Sequence, residues 1–236
     1  ERALREGKTH YTATAGIRPL REAIASAYRD RGRDVSADQV IVTVGGKQAL
    51  FNAHQILFDD GCEVLNPAPY WVSYPAQARL ADAEPRVVRC GWDQNFKLSP
   101  ATLERELNQG DVRGIILCSP SNPTGAVYNE SELTDLADVI RRADQDVTVL
   151  FDAIYDRLYY EAEYSPDLAA AAPEIADDVI TFNGFSKTYA MTGWRLGYAI
   201  ASEETIAAMS KLQSQQTSNA TTFCQWAALE ALELDD

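Results

Sequence analysis

Apolar residues recur along the chain in two alternating rhythms. Short continuous apolar runs predict buried strands at 40–44, 63–65, 86–88, 114–118, 147–151, 178–182 and 195–200. Apolar spacing near the helical repeat predicts helices at 18–31, after Gly46, at 100–108, at 130–142 and from about 203 onward. Apolar strands that alternate with helices indicate a mostly parallel sheet with helices on both faces, which is a three-layer α/β/α architecture.

Residues suited to chemistry lie at or just after the ends of these predicted strands. The segments are Gly45-Gly46-Lys47, Pro69-Tyr70-Trp71, Asn122, Asp152–Tyr155 and Lys187. In open α/β sheets, ligands bind outside the carboxyl ends of the strands. The pattern therefore predicts that five separate segments converge on one crevice.

One Lys and one Arg in segment 183–198 suggest a cofactor. Lys187 lies in a run otherwise free of charge, and Arg195 follows eight residues later. Because an ammonium is costly to desolvate, such a Lys is either paired or held neutral, and a neutral amine forms Schiff bases with aldehydes. An Arg can hold a phosphate by two parallel hydrogen bonds. Pyridoxal 5'-phosphate (PLP) carries both groups, whereas a core loop whose Lys187 reaches to water is the alternative.

Three polar residues at other strand ends have both a cofactor role and a plainer alternative. Asp152 is suited to keep a pyridine nitrogen protonated, or it caps a short helix that begins at Ala153. Tyr155 is suited to donate to the oxygen on the cofactor ring, or it is an ordinary buried tyrosine. Asn122 is suited to the same oxygen, or, as it precedes Pro123, it only marks a turn.

Glycines and an indole complete the candidate set. Gly45 and Gly46 stand between a strand and a helix, where they let backbone N–H groups approach a phosphate. Lys47 follows them, but the spacing of a P-loop is absent. Trp71 is placed to stack on a flat ring, with a role in the core as the alternative.

Four segments resemble the class I/II PLP-dependent aminotransferases of fold type I, in particular the bacterial aspartate/prephenate branch. They are residues 42–52, 67–75, 122–128 and 183–198. The resemblance runs from Tyr11 to about Leu232. It implies the fold of the large domain of aspartate aminotransferase. It also implies that residues 1–236 are the PLP-binding large domain, with the N-terminal arm and the C-terminal small domain outside them.

The resemblance implies a role for each matching position. Lys187 matches the Schiff-base lysine and Asp152 the partner of the pyridine nitrogen. Asn122 and Tyr155 match the donors to the ring oxygen, and Trp71 the stacking aromatic.

Other matching positions concern the phosphate and the substrate. Gly46, Ser186 and Arg195 match phosphate ligands, and Tyr11 matches a tyrosine that reaches across a homodimer to the partner's phosphate. Lys47 matches a residue that helps to read the distal carboxylate of a substrate. Gly184 departs from the pattern, since some relatives have a phosphate-binding Ser there.

The predicted function is a transaminase with a ping-pong mechanism through Lys187. Its substrates are an amino acid, aspartate- or glutamate-like, and a 2-oxo acid. One alternative is another reaction on the same fold, such as that of a β-lyase or a cyclopropane-forming synthase. The other is a PLP-binding or dimerisation domain with little activity.

Composition removes several other classes of function. The formal net charge is −14, from 21 Lys and Arg against 35 Asp and Glu, and no basic run is present. Nucleic acids and anionic membranes are therefore poor partners. The cysteines, Cys62, Cys90, Cys118 and Cys224, show no C-x-x-C spacing, so no metal site is expected. Scattered thiols predict a reducing compartment, which we take to be the cytoplasm.

Overall fold

The computed structural model describes residues 1–160 and 164–234. Their helices are α1 (Arg2–Arg5), α2 (Arg18–Arg29), α3 (Gly46–Leu57), α4 (Ser73–Leu80), α5 (Pro100–Leu107), α6 (Glu130–Arg141), α7 (Leu168–Ala171), α8 (Glu203–Gln216) and α9 (Thr222–Glu233). Their strands are β1 (Val40–Thr43), β2 (Glu63–Ala68), β3 (Glu84–Arg89), β4 (Val112–Cys118), β5 (Thr148–Asp152), β6 (Val179–Gly184) and β7 (Gly197–Ile200). The chain divides into two compact units, Glu1–Ile56 with Phe182–Asp236, and Leu57–Thr181.

The first unit contains an antiparallel strand pair. Strand β1 pairs with β7 from Val40 opposite Ile200 to Thr43 opposite Gly197. The backbone N–H of Ile17, just before α2, donates to the side chain of Gln225 on α9 at 2.8 Å. Apolar residues of these elements form one core, whose members include Leu20, Ile24, Tyr28, Val42, Phe185, Leu196, Tyr198 and Cys224.

The second unit contains parallel strands in the order β3-β2-β4-β5. Strand β4 runs beside β5 from Gly114 opposite Thr148 to Cys118 opposite Asp152. Apolar residues of the strands and of α5, α6 and α7 form its core, with Leu103, Ile115, Leu133, Leu136, Phe151 and Leu168 among them. Because the strands are parallel, β4 and β5 end at the same edge, which brings Cys118 beside Asp152.

The predicted alternation of strands and helices is confirmed, with local corrections. Strand β7 begins at Gly197 and not at residue 195, because Arg195 has a left-handed backbone with φ 52°. Strand β6 extends to Gly184, beyond the predicted end at residue 182. The sequence pattern missed α4, whose first turn contains Pro75 and whose apolar face is weak. Within the described residues, no helix combines the length and apolar character needed to span a membrane.

Candidate active site

In the first unit, β7 passes directly against the start of α3. A Cβ atom at Gly197 would lie 2.3 Å from the backbone nitrogen of Gly46 and 2.6 Å from the carbonyl carbon of Gly45. Such distances do not occur for real side chains, so only glycine permits this approach. Gly45 has a φ of +77°, a conformation that glycine adopts without strain. The backbone itself therefore requires glycine at positions 45 and 197.

The guanidinium of Arg195 lies against this glycine backbone. A Cβ atom at Gly45 would lie 2.7 Å from Arg195 Nη2. Arg195 Nη1 donates to the carbonyl of Thr192 at 2.8 Å, and the side chain is exposed. Since the first turn of a helix presents unpaired N–H groups and a positive dipole end, the guanidinium adds charge where an anion is already favoured. We call Gly45, Gly46, Gly197 and Arg195 the anion cradle.

The loop between β6 and Arg195 carries Ser186 and Lys187. Its start is fixed, because the N–H of Phe185 donates to the carbonyl of Leu196 at 3.3 Å and the Phe185 side chain lies in the core. Ser186 is buried, but Lys187 is exposed. This exposed position differs from the desolvated surroundings predicted for the Lys187 amine and agrees with the alternative of a Lys187 that reaches water. The uncharged neighbours that suggested them, Phe185 and Leu196, face the core, whereas the loop between them reaches the surface.

Two further predicted residues of the first unit are also exposed. Lys47 lies in the first turn of α3 beside Gly46, so its cationic side chain starts next to the anion cradle. Tyr11 is 88% exposed, in the segment between α1 and α2.

In the second unit, Asp152 ends β5 as a buried carboxylate. Its side chain is held at both oxygens: the hydroxyl of Tyr74 donates to Oδ2 at 2.6 Å, and the N–H of Ile154 donates to Oδ1 at 3.2 Å. Asp152 is 4% exposed and Tyr74 is 2% exposed. The alternative role as a helix cap is wrong, because residues 154–157 form a turn and not a helix.

Burial determines the protonation behaviour around Asp152. It raises the pKa of the Asp152 carboxyl, and the hydrogen bonds from Tyr74 and Ile154 lower it in part. Burial and then the charge of Asp152 raise the pKa of the Tyr74 hydroxyl well above its ordinary value. The same two causes raise the pKa of the Cys118 thiol to about 12. We call Tyr74, Cys118 and Asp152 the carboxylate cluster.

Trp71 and Asn122 lie close to this cluster. The rings of Trp71 and Tyr74 meet edge to face, with centroids 5.5 Å apart and planes at 88°. Asn122 lines a recess together with Tyr70, Tyr74 and Cys118. Tyr155, in the turn after β5, is half-buried. The second unit thus brings Trp71, Asn122 and Asp152 together around Tyr74, a residue to which sequence reasoning assigned no role.

The anion cradle and the carboxylate cluster, each taken by itself, have the chemistry to bind one part of PLP. A buried carboxylate that burial destabilises is suited to the protonated nitrogen of a pyridine ring, whose positive charge offsets the lost hydration. A helix start with an adjoining guanidinium is suited to a phosphate dianion. The residues present therefore fit the cofactor, while the role of each remains a prediction.

Comparison with known proteins identifies relatives over the whole chain. The family model "Aminotransferase class I and II" matches residues 2–236. A probable aspartate/prephenate aminotransferase of Rickettsia bellii is 43% identical over 232 residues, which is 98% of this chain and 58% of the relative. One from Rhizobium leguminosarum bv. phaseoli is 46% identical over 231 residues, again 98% of this chain and 57% of the relative.

Solved structures agree. Aspartate aminotransferase from Thermus thermophilus with maleate has a TM-score of 0.92 and 40% identity, covering 99% of this chain and 60% of that one. Aspartate aminotransferase from Rhizobium meliloti has a TM-score of 0.94 and 36% identity, covering 98% of this chain and 57% of that one. The predicted aspartate aminotransferase-like fold, with a mixed sheet and helices, is confirmed. The chain spans less than two thirds of the length of these relatives.

Proposed function

Because the chain belongs to the class I and II aminotransferases, a PLP-dependent family, we propose that its parent protein is a transaminase. It moves an amino group from an amino acid to a 2-oxo acid. Residues 1–236 are its large, PLP-binding domain. The relatives named above are aminotransferases, which favours this function over a β-lyase, a cyclopropane-forming synthase or a domain with little activity.

The observation that carries the proposal is the buried carboxylate of Asp152. Burial disfavours its charge, and the two hydrogen-bond donors that hold it are both neutral. A buried carboxylate of this kind calls for a cationic partner. The nitrogen of a pyridine ring would become such a partner by taking up a proton, which the Asp152 carboxylate would help to keep there.

The remaining roles follow from the chemistry of each side chain. PLP, when bound, supplies an aldehyde that condenses with amines and a ring that withdraws electrons from the adjoining carbon. Arg195, Ser186 and the N–H of Gly46 would hold the phosphate, and Tyr11 would reach the phosphate of a partner subunit.

Other side chains act on the ring and the substrate. Asn122 and Tyr155 would donate to the ring oxygen, and the Trp71 indole would cover the ring face. The Lys187 amine would hold the aldehyde when no substrate is bound and, once released, would carry the proton taken from the substrate's α-carbon.

A dicarboxylic amino acid, aspartate or glutamate, is the proposed substrate class. Lys47 presents a cation beside the anion cradle, where a distal carboxylate would gain from it. In the full-length protein, Lys47→Ala should lower kcat/KM for aspartate by about tenfold and leave that for an apolar amino acid unchanged. Steady-state kinetics with both substrates measure this. Equal losses for the two would remove Lys47 from substrate recognition.

We also propose a homodimer in the cytoplasm. An exposed Tyr11 agrees with a residue that completes a neighbouring subunit's site. Cys62, Cys90, Cys118 and Cys224 are free thiols, as expected in a reducing compartment. Light scattering of the full-length protein tests the dimer, and a monomer mass would contradict it. Cell fractionation tests the compartment, and recovery outside the cytosol would contradict that.

The decisive experiment adds PLP to the protein and records the visible spectrum. The wild type should acquire the absorbance band of an aldehyde condensed with an amine, and Lys187→Ala should lack it entirely. Lys211→Ala, which removes an exposed lysine of α8, is the matched control and should keep the band. A band of equal strength in Lys187→Ala would assign the chemistry to another amine.

A further inference from the structure

Tyr74 occupies a position between two residues of the candidate site. Its hydroxyl donates to Asp152 Oδ2 at 2.6 Å, and its ring meets the Trp71 ring edge to face at 5.5 Å. The residue is almost fully buried in the first turn of α4, so its ring and hydroxyl have little freedom to move. One side chain therefore contacts both the proposed partner of the pyridine nitrogen and the proposed stacking indole.

We propose that Tyr74 is a positioning residue, which fixes the Asp152 carboxylate and the Trp71 indole in the arrangement that receives the pyridine ring. The inference rests on the proposed function for the identity of that ring. A phenylalanine would fill the same space and keep the edge-to-face contact, so packing alone does not require the hydroxyl. The hydroxyl is required by the carboxylate, which would otherwise keep, among the described residues, only the N–H of Ile154 as a donor.

The electrostatics of the cluster support this role. Within residues 1–160 and 164–234, the groups that face the Asp152 carboxyl are the Tyr74 hydroxyl on α4, the Cys118 thiol on β4 and the Ile154 N–H. Burial and the charge of Asp152 raise the pKa of Tyr74 so far that its hydroxyl keeps its proton throughout the physiological range. It is therefore a permanent donor, and its hydrogen bond opposes the rise that burial imposes on the pKa of Asp152.

The first test follows the Asp152 carboxyl in the protein without added PLP. Carbon-13 NMR of aspartate side chains, with the signal assigned by Asp152→Asn, gives the titration midpoint. Tyr74→Phe should move this midpoint to higher pH. Tyr128→Phe is the matched control, because it removes another buried hydroxyl, which accepts from the N–H of Leu98 at 2.7 Å, and should leave the midpoint unchanged. An unchanged midpoint in Tyr74→Phe would overturn the proposal.

The second test compares PLP with an analogue in which carbon replaces the ring nitrogen. Tyr74→Phe should weaken PLP binding by about tenfold, because a hydrogen bond to a charged group is lost, and should barely affect the analogue. Equal weakening of both ligands would show a merely structural role and overturn the proposal. In an Asp152→Asn background, Tyr74→Phe should weaken PLP binding no further.

The two tests separate this inference from the proposed function. If the wild type binds no PLP, the proposed function fails, and the titration still decides whether Tyr74 fixes the carboxylate. If PLP binds but the titration midpoint of the Asp152 carboxyl is the same in Tyr74→Phe as in the wild type, the proposed function stands and the positioning role fails.

Discussion

The anion cradle of the first unit and the carboxylate cluster of the second handle charge in opposite ways. In the cradle, the charged group of Arg195 is exposed. The arrangement there depends on glycines, which let the backbone of β7 approach the start of α3. In the cluster, the charged group of Asp152 is buried, and the arrangement depends on the Tyr74 hydroxyl and the Ile154 N–H that hold it. An exposed cation keeps its hydration, whereas a buried carboxylate depends on its neighbours for its charge.

This difference in the exposure of charge determines whether salt or mutation affects each place more. Exposed charge at the cradle attracts anions over a distance that salt shortens. Charge in the cluster is little screened, and its amount depends on each hydrogen bond that Asp152 accepts. We therefore expect salt to alter the cradle most and mutation of uncharged neighbours to alter the cluster most.

The largest predicted effect on stability concerns His54. This residue extends the comparison, because it is a titratable group of the first unit that is buried, as Asp152 is in the second. It lies on α3, the helix that begins at the cradle, with Nδ1 2.8 Å from the Leu50 carbonyl oxygen. Burial lowers the pKa of His54 from 6.5 to about 4. His54 binds a proton more readily in the unfolded chain than in the folded one. The contribution of His54 to the free energy of unfolding is therefore present above pH 6.5, and about 3 kcal/mol of it is lost as pH falls towards 4.

Urea unfolding at pH 7 and pH 4.5 measures this contribution. The free energy of unfolding should fall from pH 7 to pH 4.5 much less in His54→Gln than in the wild type. In His10→Gln, which alters the exposed histidine, it should fall as much as in the wild type. Asp152 has the opposite slope: its raised pKa makes stability fall as pH rises from 3.8 through the folded value. An identical fall in His54→Gln and the wild type would contradict the account.

Gly197→Ala should lower stability by a smaller amount, through a change in the anion cradle that leaves the carboxylate cluster unaltered. Its Cβ would lie 2.3 Å from the Gly46 nitrogen, so β7 or the start of α3 must shift. The free energy of unfolding should fall by about 2 kcal/mol, as in overpacked cores. Gly193→Ala is the control, since nothing lies within 4 Å of its Cβ and its φ is unstrained, and it should change stability by less than about 0.5 kcal/mol. Thermal or urea unfolding measures both, and equal stabilities would disprove the close approach.

The sequence predicted those parts of the fold and site that depend on local pattern. The end of an apolar run marks Asp152. Gly45 and Gly46 are marked by their place between a strand and a helix, where glycines let backbone N–H groups approach a phosphate. The role of Tyr74 was not predicted, because it depends on a hydrogen bond between residues 78 positions apart. The sequence left open whether Lys187 is desolvated or reaches water, because uncharged neighbours in sequence do not show which way a loop faces.

The left-handed backbone of Arg195 has a consequence for selection. With φ 52° and ψ 54°, its position favours glycine or asparagine over a residue with a long side chain, by about 1 kcal/mol. A library randomised at this codon and screened for heat resistance should enrich those two, whereas the same library screened on a phosphate resin should return arginine. Selection for heat resistance alone would thus favour variants that have lost the Arg195 guanidinium.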